Sequence, residues 1–286
     1  MSHEYDLSVV IPAYNGAEWI GEQLDALAAS GPDQDAVEVV VVDNRSTDDT
    51  QAVVRAWSQG SGRPVRVVEA FDRAGEPHAR NVGWQAARSE RIAFCDADDR
   101  VSTGWATAMR RGLHSERYLT GPMDTLTLNP PAAAGMRGQR LFSQRPLLHD
   151  AVPFAHGANM GYQRGALAEV GGFDETFLIG CDIEIAVRCW RAGIDLGWAE
   201  DALVHYRFRT DWDGVFRQAK AYGRSRHRID ALVPEVARSR PLVQNLRRSA
   251  WLVKSLPLLA GERRLHWAWV AGQVVGEARG GLEARR

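Results

Sequence analysis

Three aspartates stand close together in residues 92–100, IAFCDADDR, directly after an apolar run. As carboxylates, Asp96, Asp98 and Asp99 repel one another, so the fold must keep them in water or offset their charge. A bound cation would offset it, because hard cations prefer oxygen ligands. The spacing therefore predicts either a solvated turn or a cation site.

Apolar runs that alternate with helical patterns indicate which elements position this cluster. Strands are predicted at residues 7–15, 37–44, 64–70 and 91–99, with a helix after each of the first three, the last of these at 78–89. This alternation is typical of a parallel sheet. Such sheets bind ligands at the carboxyl ends of their strands, where Asn15, Asp43, Asn44 and the aspartates fall. The position of the cluster, more than its composition, makes it a candidate site.

The second half of the chain continues this pattern less regularly. Residues 120–155 are rich in Pro and Gly, which predicts a long, partly mobile connection. A strand-like segment and a double-glycine turn follow. A helix is then predicted at 181–193, and a final short strand pair at 196–208.

Charge is distributed unevenly along the 286 residues. Residues 207–286 contain 17 Lys and Arg against 7 Asp and Glu, whereas the first 206 contain 18 against 29. The basic tail predicts either an interfacial helical segment on anionic lipid or helices that pack on protein, on the same chain or on a second subunit. Neither a signal peptide, a transmembrane helix nor nucleic-acid binding is predicted, and the three cysteines suit a reducing cytoplasm.

In their order and spacing, several segments resemble the family 2 glycosyltransferases. These are VVIPAYN, VVVDNRSTDDT, ARNVGWQAARSERIAFCDADD, GGFDETF, GCDIEIAVRCWRAG and VHYRF. The resemblance covers residues 6 to 210 and implies an α/β fold of the GT-A type, a Rossmann-like, mostly parallel central sheet flanked by helices. We therefore expect a catalytic domain at 1–210 and a basic, Trp-rich helical extension at 211–286.

The resemblance also implies a donor site and a metal site. Donor contacts are implied for Pro12, Ala13, Tyr14, Asn15, Asp43, Asn44, Arg80, Asp96 and Asp98. The implied ligands of Mg²⁺ or Mn²⁺ are Asp98, Asp99 and His205, and the implied contacts on the side of the sugar or acceptor are His156, Gly157 and Asn159. Structural alternatives stay open: a helix cap for Asp43, an ion pair for Arg80 and a satisfied structural histidine for His205.

A catalytic base is implied at the start of the helix at 181–193. The family has a Glu-Asp pair there, whereas this chain has Cys181 and Asp182. Asp182 is the predicted base and Glu184 the reserve candidate; the alternative is that Asp182 only caps its helix. Because a helix N-terminus favours an anion, we expect Asp182 to be ionised at neutral pH.

These residues predict a metal-dependent inverting glycosyltransferase. It would move a sugar from a nucleoside-diphosphate sugar to a hydroxyl acceptor: a glycan, a lipid-linked intermediate or a natural product. The alternative is a catalytically silent protein of the same fold that binds nucleotide sugars, which the replaced glutamate supports. We expect a cytoplasmic location, with a peripheral contact to the inner face of the membrane or a homodimer through the C-terminal region as further expectations.

Overall fold

A computed structural model describes residues 5–30, 36–136, 143–237, 241–256, 261 and 263–284. The described residues form two compact units. The first lies within Met1–Asp124, Phe142–Leu148 and Val152–Tyr206, and the second within Thr125–Leu141, His149–Ala151 and Arg207–Arg286. The expected domain boundary at residue 210 stays a prediction.

Among the described residues, the first unit contains twelve strands and six helices. The strands are β1 (Leu7–Ala13), β2 (Val37–Asp43), β3 (Arg66–Glu69), β4 (Arg91–Phe94), β5 (Arg100–Val101), β6 (Tyr118–Thr120), β7 (Met123–Asp124), β8 (Leu147–Leu148), β9 (Val152–Pro153), β10 (Met160–Gln163), β11 (Leu196–Trp198) and β12 (Val204–His205). The helices are α1 (Ile20–Ala28), α2 (Thr50–Ser61), α3 (Glu76–Ala86), α4 (Trp105–Gly112), α6 (Arg164–Val170) and α7 (Cys181–Arg191), whereas α5 (Pro131–Ala134) belongs to the second unit.

A seven-stranded sheet with the order β11-β6-β10-β4-β1-β2-β3 forms the centre of the first unit. Strands β4, β1, β2 and β3 are parallel, as are β6 and β11, while β10 runs antiparallel to both of its neighbours. The unbroken apolar run of β1 suits its central place, since Val9, Val10 and Ile11 are fully buried. The predicted sheet, mostly parallel and flanked by helices, is confirmed.

One expectation for the second half of the chain was wrong. The two strands in residues 196–208 do not pair with each other, because β11 joins the large sheet and β12 lies between β5 and β7 in a three-stranded sheet. The connection at 120–155 contains short regular elements, including β7, α5 and the hairpin of β8 and β9, and its partial mobility stays a prediction. Its residues 137–142 lie outside the described residues.

The described part of the second unit contains α5 and three longer helices, α8 (Trp212–Leu232), α9 (Pro241–Lys254) and α10 (Arg264–Glu283). Helices α8 and α10 pack against each other through glycines. A Cβ atom on Gly276 would lie 2.2 Å from the carbonyl oxygen of Lys220 and 2.8 Å from the nitrogen of Arg224. Gly223, Gly272 and Gly280 make comparably close backbone contacts. The two backbones therefore approach so closely that only glycine fits at the contact.

Ion pairs connect α9 to this helix pair. Glu277 of α10 is buried and accepts a hydrogen bond of 2.6 Å from Arg248 of α9, with Arg226 of α8 at 3.8 Å. Two arginines thus offset one buried carboxylate. Among the described residues, no helix has both the length and the apolar character needed to cross a bilayer.

Candidate functional site

The three aspartates lie together at the carboxyl end of β4. Asp96, Asp98 and Asp99 each offer an oxygen within 4.8 Å of the others. Asp98 is exposed, Asp96 is partly exposed and Asp99 is buried. Three carboxylate oxygens at this separation suit a hard divalent cation, which takes oxygen ligands and leaves further positions to water or phosphate.

The buried side chain of Gln23 fixes the backbone of the segment that carries the three aspartates. Its amide nitrogen donates to the carbonyl oxygen of Asp96 at 3.0 Å, and its amide oxygen accepts from the nitrogen of Val101 at 3.0 Å. One residue of α1 therefore holds both ends of the segment that carries the cluster. Sequence reasoning missed Gln23, although a polar residue between Ile20 and Leu24 on the buried face of α1 was the available signal.

The loops after β1 and β2 are joined by Asn15 and Asp43. Asn15 has a positive φ of 51°, donates its backbone N–H to Ser46 and accepts the N–H of Thr47 with its side chain. Asp43 is buried and accepts from the nitrogen of Ser46 at 3.0 Å and from the side chain of Gln51 at 2.6 Å. The structure thus places Asn15 and Asp43 at one edge of the sheet, as predicted. Their contacts with a nucleobase or ribose stay predictions.

The remaining donor candidates of these two loops differ in exposure. Tyr14 is 65% exposed, whereas Ala13 is buried in β1 and Pro12 is partly buried. The amide of Asn44 donates to the carbonyl oxygens of Ala70 and Arg73 and accepts from the nitrogen of Gly75. Asn44 therefore holds the loop after β3, and both of its side-chain hydrogens are already used.

Arg80 connects the aspartate cluster to the start of α7. Its guanidinium is 1% exposed, pairs with Glu76, lies 3.3 Å from Asp96 and donates to the sulfur of Cys181 at 3.1 Å. Burial opposes the charge of Arg80, but the carboxylates of Glu76, Asp96 and Asp182 outweigh it and raise its pKa. Arg80 thus forms structural ion pairs, which was the alternative to a contact with the donor. Its contact with a donor phosphate stays a prediction.

The same charges act on the acids around Arg80. Burial raises the pKa of the Asp96 carboxyl, Glu76 adds to this shift, and Arg80 opposes it. Burial also raises the pKa of the Cys181 thiol, which is therefore neutral near pH 7 despite its contact with Arg80. A cation at the cluster would favour the ionised form of Asp96.

Asp182 lies in the first turn of α7, beside Gly157. One of its oxygens accepts the backbone N–H of Gly157 at 3.2 Å, and the other accepts the N–H of Ile183 at 3.0 Å. Burial raises the pKa of Asp182, with Arg80 and these N–H groups opposing the shift. The expected effect of the helix N-terminus is thus present but smaller than that of burial. A carboxylate with a raised pKa is a stronger base, which suits proton abstraction.

The reserve candidate Glu184 is occupied by an ion pair. Its two oxygens accept from the guanidinium of Arg188 at 2.6 and 2.5 Å, and the residue is 5% exposed. This bidentate pair favours Asp182 over Glu184 as the base.

The three candidates on the side of the sugar or acceptor differ in their exposure to solvent. His156 and Gly157 are partly exposed, and the ring of His156 packs edge-on against Phe154. Asn159 is fully buried, and its side chain binds Trp105, Pro122 and Ala202. Asn159 therefore braces the interior, and its burial argues against the predicted contact with sugar or acceptor.

His205 of β12 pairs with Arg100 of β5, the residue directly after Asp99. It is opposite Arg100 in the pairing of β12 with β5, and opposite Asp124 in the pairing of β12 with β7. The Nδ1 atom of His205 lies 2.7 Å from an oxygen of Asp124. Carboxylates hold metal-binding histidines in this way, because the bond fixes the tautomer and the ring orientation. Asp124 was missed, since nothing in its local sequence distinguishes it.

Two protein-family models match this chain. Residues 8–171 match the model of glycosyl transferase family 2, and residues 92–274 match that of glycosyl transferase family group 2. The succinoglycan biosynthesis protein ExoU of Rhizobium meliloti is 33% identical over 206 residues, which are 66% of this chain and 58% of ExoU. The pre-mycofactocin glycosyltransferase of Mycobacterium tuberculosis is 26% identical over 88% of this chain and 53% of its own length. The chain thus spans little more than half of these relatives.

Solved structures share the fold. The mannosyltransferase PcManGT of Pyrobaculum calidifontis, in complex with GDP-Man and Mn²⁺, has a TM-score of 0.64 at 20% identity and covers 99% of this chain and 88% of its own. TarS of S. aureus in complex with UDP-GlcNAc has a TM-score of 0.58 at 17% identity, over 96% of this chain and 92% of its own.

The sheet and the acidic end of β4 therefore define the GT-A class of glycosyltransferase folds. The chain belongs to glycosyl transferase family 2. The predicted family is confirmed.

Proposed function

We propose that this chain is a metal-dependent inverting glycosyltransferase that moves a sugar from a nucleoside-diphosphate donor to a hydroxyl acceptor. The observation that carries the proposal is the link through Arg80. This buried guanidinium joins Asp96 of the aspartate cluster to Cys181, the residue next to Asp182. A site for the donor diphosphate and a candidate base are thereby held in one rigid network.

The metal would be Mg²⁺ or Mn²⁺, held by Asp98, Asp99 and His205, with Asp96 beside them. The separation of the oxygens of Asp96, Asp98 and Asp99 fits such an ion. His205 is not one of the residues of this cluster, and its contact with Asp124 would orient it as a further ligand. When bound, the metal offsets the negative charge that develops on the leaving diphosphate. PcManGT binds GDP-Man and Mn²⁺ and TarS binds UDP-GlcNAc, which supports a metal and a nucleotide sugar as ligands of this fold.

In the proposed reaction, Asp182 takes the proton of the acceptor hydroxyl. The hydroxyl oxygen forms a bond to the anomeric carbon of the sugar, and the bond from that carbon to the diphosphate oxygen breaks. The diphosphate leaves with the bonding electrons, and the configuration at the anomeric carbon inverts. The N–H of Gly157 orients the Asp182 carboxylate and uses one lone pair of its Oδ2 atom, which leaves the other lone pair of Oδ2 for the proton.

The acceptor would be a glycan, a lipid-linked intermediate or a natural product. ExoU is named for succinoglycan biosynthesis and TarS is named a poly(ribitol-phosphate) β-N-acetylglucosaminyltransferase, which supports a glycan or a related polymer. The exposed Tyr14, on the loop after β1, is available to stack on the nucleobase of the donor. We place the protein in the cytoplasm.

The first test is thermal stabilisation by UDP, GDP, dTDP and CDP, each with and without Mn²⁺. We expect one nucleotide to raise the melting temperature only with Mn²⁺, and a chelator to abolish the shift. No shift with any nucleotide, in folded protein, would contradict the donor site.

Two matched variants then separate binding from turnover. Asp99→Asn removes a metal ligand, so the Mn²⁺-dependent shift should disappear. Asp182→Asn keeps the metal ligands, so the shift should remain while release of nucleoside diphosphate falls by about a thousandfold or more. If Asp182→Asn turns over like the wild type, Asp182 is not the base. If the wild type binds donor but shows no turnover with any acceptor, the silent-binding alternative gains support.

A further inference from the structure

Helix α9 has two faces of different character. Trp251 packs edge-on against His266 at 5.1 Å, Arg248 bonds Glu277, and Ser255 is buried. The carbonyl oxygen of Leu252 accepts from Trp267 at 3.2 Å. These contacts hold one face of α9 to α10.

The opposite face of α9 is apolar and exposed. Leu246 and Val253 are 62% and 69% exposed, and Ala250 between them is also exposed. Their spacing of four and three residues places them in one stripe along the helix. Leu256, just beyond the helix, is 50% exposed. Contiguous apolar residues on an exposed protein surface mark an interaction site, so we expect this stripe to be covered by a protein or a membrane.

Basic residues border the stripe. Arg247 and Lys254 are exposed and each follows a stripe residue, so both lie along the same edge. The surrounding segment is strongly basic, since residues 207–286 carry 17 Lys and Arg against 7 Asp and Glu. An apolar stripe edged by cations is the pattern of a helix that lies in the interface of an anionic bilayer.

We propose that the stripe Leu246, Ala250 and Val253 inserts into the interface of an anionic lipid bilayer, with Arg247 and Lys254 on the head groups. The 14-residue helix is about 21 Å long, shorter than the roughly 30 Å hydrocarbon core, so it lies along the surface rather than across it. Charge argues against a second copy as the occupant, because two such faces would bring like charges together. This proposal depends on α9 alone and is independent of the proposed reaction.

The test is co-sedimentation of the full chain with vesicles of phosphatidylcholine alone or with about 30% phosphatidylglycerol. We expect at least tenfold tighter binding to the anionic vesicles. The double variant Leu246→Gln and Val253→Gln should lower this affinity at least tenfold. The double variant Arg247→Gln and Lys254→Gln should remove most of the preference for anionic lipid, at about fivefold for each charge.

The control variants carry the same types of substitution at exposed positions outside α9. Leu147→Gln alters an exposed leucine of β8, and Arg63→Gln alters an exposed arginine after α2. Both should bind vesicles like the wild type, and all variants should keep the wild-type melting temperature. Equal binding by the wild type and the stripe variant would overturn the proposal. So would a wild-type dimer that ignores vesicles and dissociates in the stripe variant, which would make the stripe a protein interface.

Discussion

Replacing Gly157 by alanine tests whether the link between Arg80 and Asp182 orders the proposed base. A Cβ atom at this position would lie 2.3 Å from Nη2 of Arg80, whereas ordinary contact begins at 3.4 Å. About 1 Å of movement is therefore required. Arg80 cannot easily supply it, because the guanidinium is buried and held by Glu76, Asp96 and Cys181.

The backbone of Gly157 must move instead, and its hydrogen bond to Asp182 is stretched. Losing a hydrogen bond to a carboxylate costs about 1.5–3 kcal/mol, which corresponds to a factor of about 10 to 150. A misplacement of about 1 Å near a reacting group costs about a hundredfold in rate. We therefore expect kcat of Gly157→Ala to fall about 10- to 100-fold, with the nucleotide-dependent rise in melting temperature retained.

The assay is release of nucleoside diphosphate from the donor that the stabilisation screen identifies, with water as acceptor until a better one is known. Gly165→Ala is the matched control, because this exposed glycine of α6 has no atom within 4 Å of an added Cβ. It should keep wild-type turnover. Wild-type turnover in Gly157→Ala would refute the reasoning, since Asp182 would then not depend on this contact.

Four further outcomes are expected. Asp124→Asn should weaken Mn²⁺ binding in the presence of nucleotide about 10- to 100-fold by calorimetry, because His205 loses its orienting carboxylate; unchanged affinity would remove His205 from the metal site. Gly276→Ala should lower the free energy of unfolding in denaturant by about 1–3 kcal/mol, because the added Cβ meets backbone. Gly60→Ala, which meets nothing, should raise it by about 0.5–1 kcal/mol. Because burial raises the pKa of Asp182 and the base must be ionised, kcat should fall on acidification at a pH above the ordinary value of 3.8; a flat profile down to that pH would contradict the shift.

Local sequence predicted the elements that carry the site but not the contacts that hold it. The apolar runs of β1 and β2 and the aspartates after β4 are continuous in sequence, so their places at one edge of the sheet followed from pattern alone. Arg80 pairs with Glu76 four residues earlier in α3, which helical spacing alone can bring together, but Asp96 after β4 and Cys181 in α7 reach Arg80 only through tertiary packing. The burial of Asn159 also results from tertiary packing, so its local sequence did not predict it.

The pairing of β12 with β5 has a consequence for synthesis of the chain. The loop with Asp99 emerges from the ribosome about a hundred residues before His205, the residue that completes the neighbouring strand pair. Until then β5 is an unpaired strand edge beside a cluster of negative charge. Strands β1 to β4 of the large sheet are synthesised much earlier than β11 and β12, so these strands can pair first while the candidate site that includes His205 is completed late. Assembly of this site depends on a contact between residues that are far apart in sequence, and such contacts form slowly.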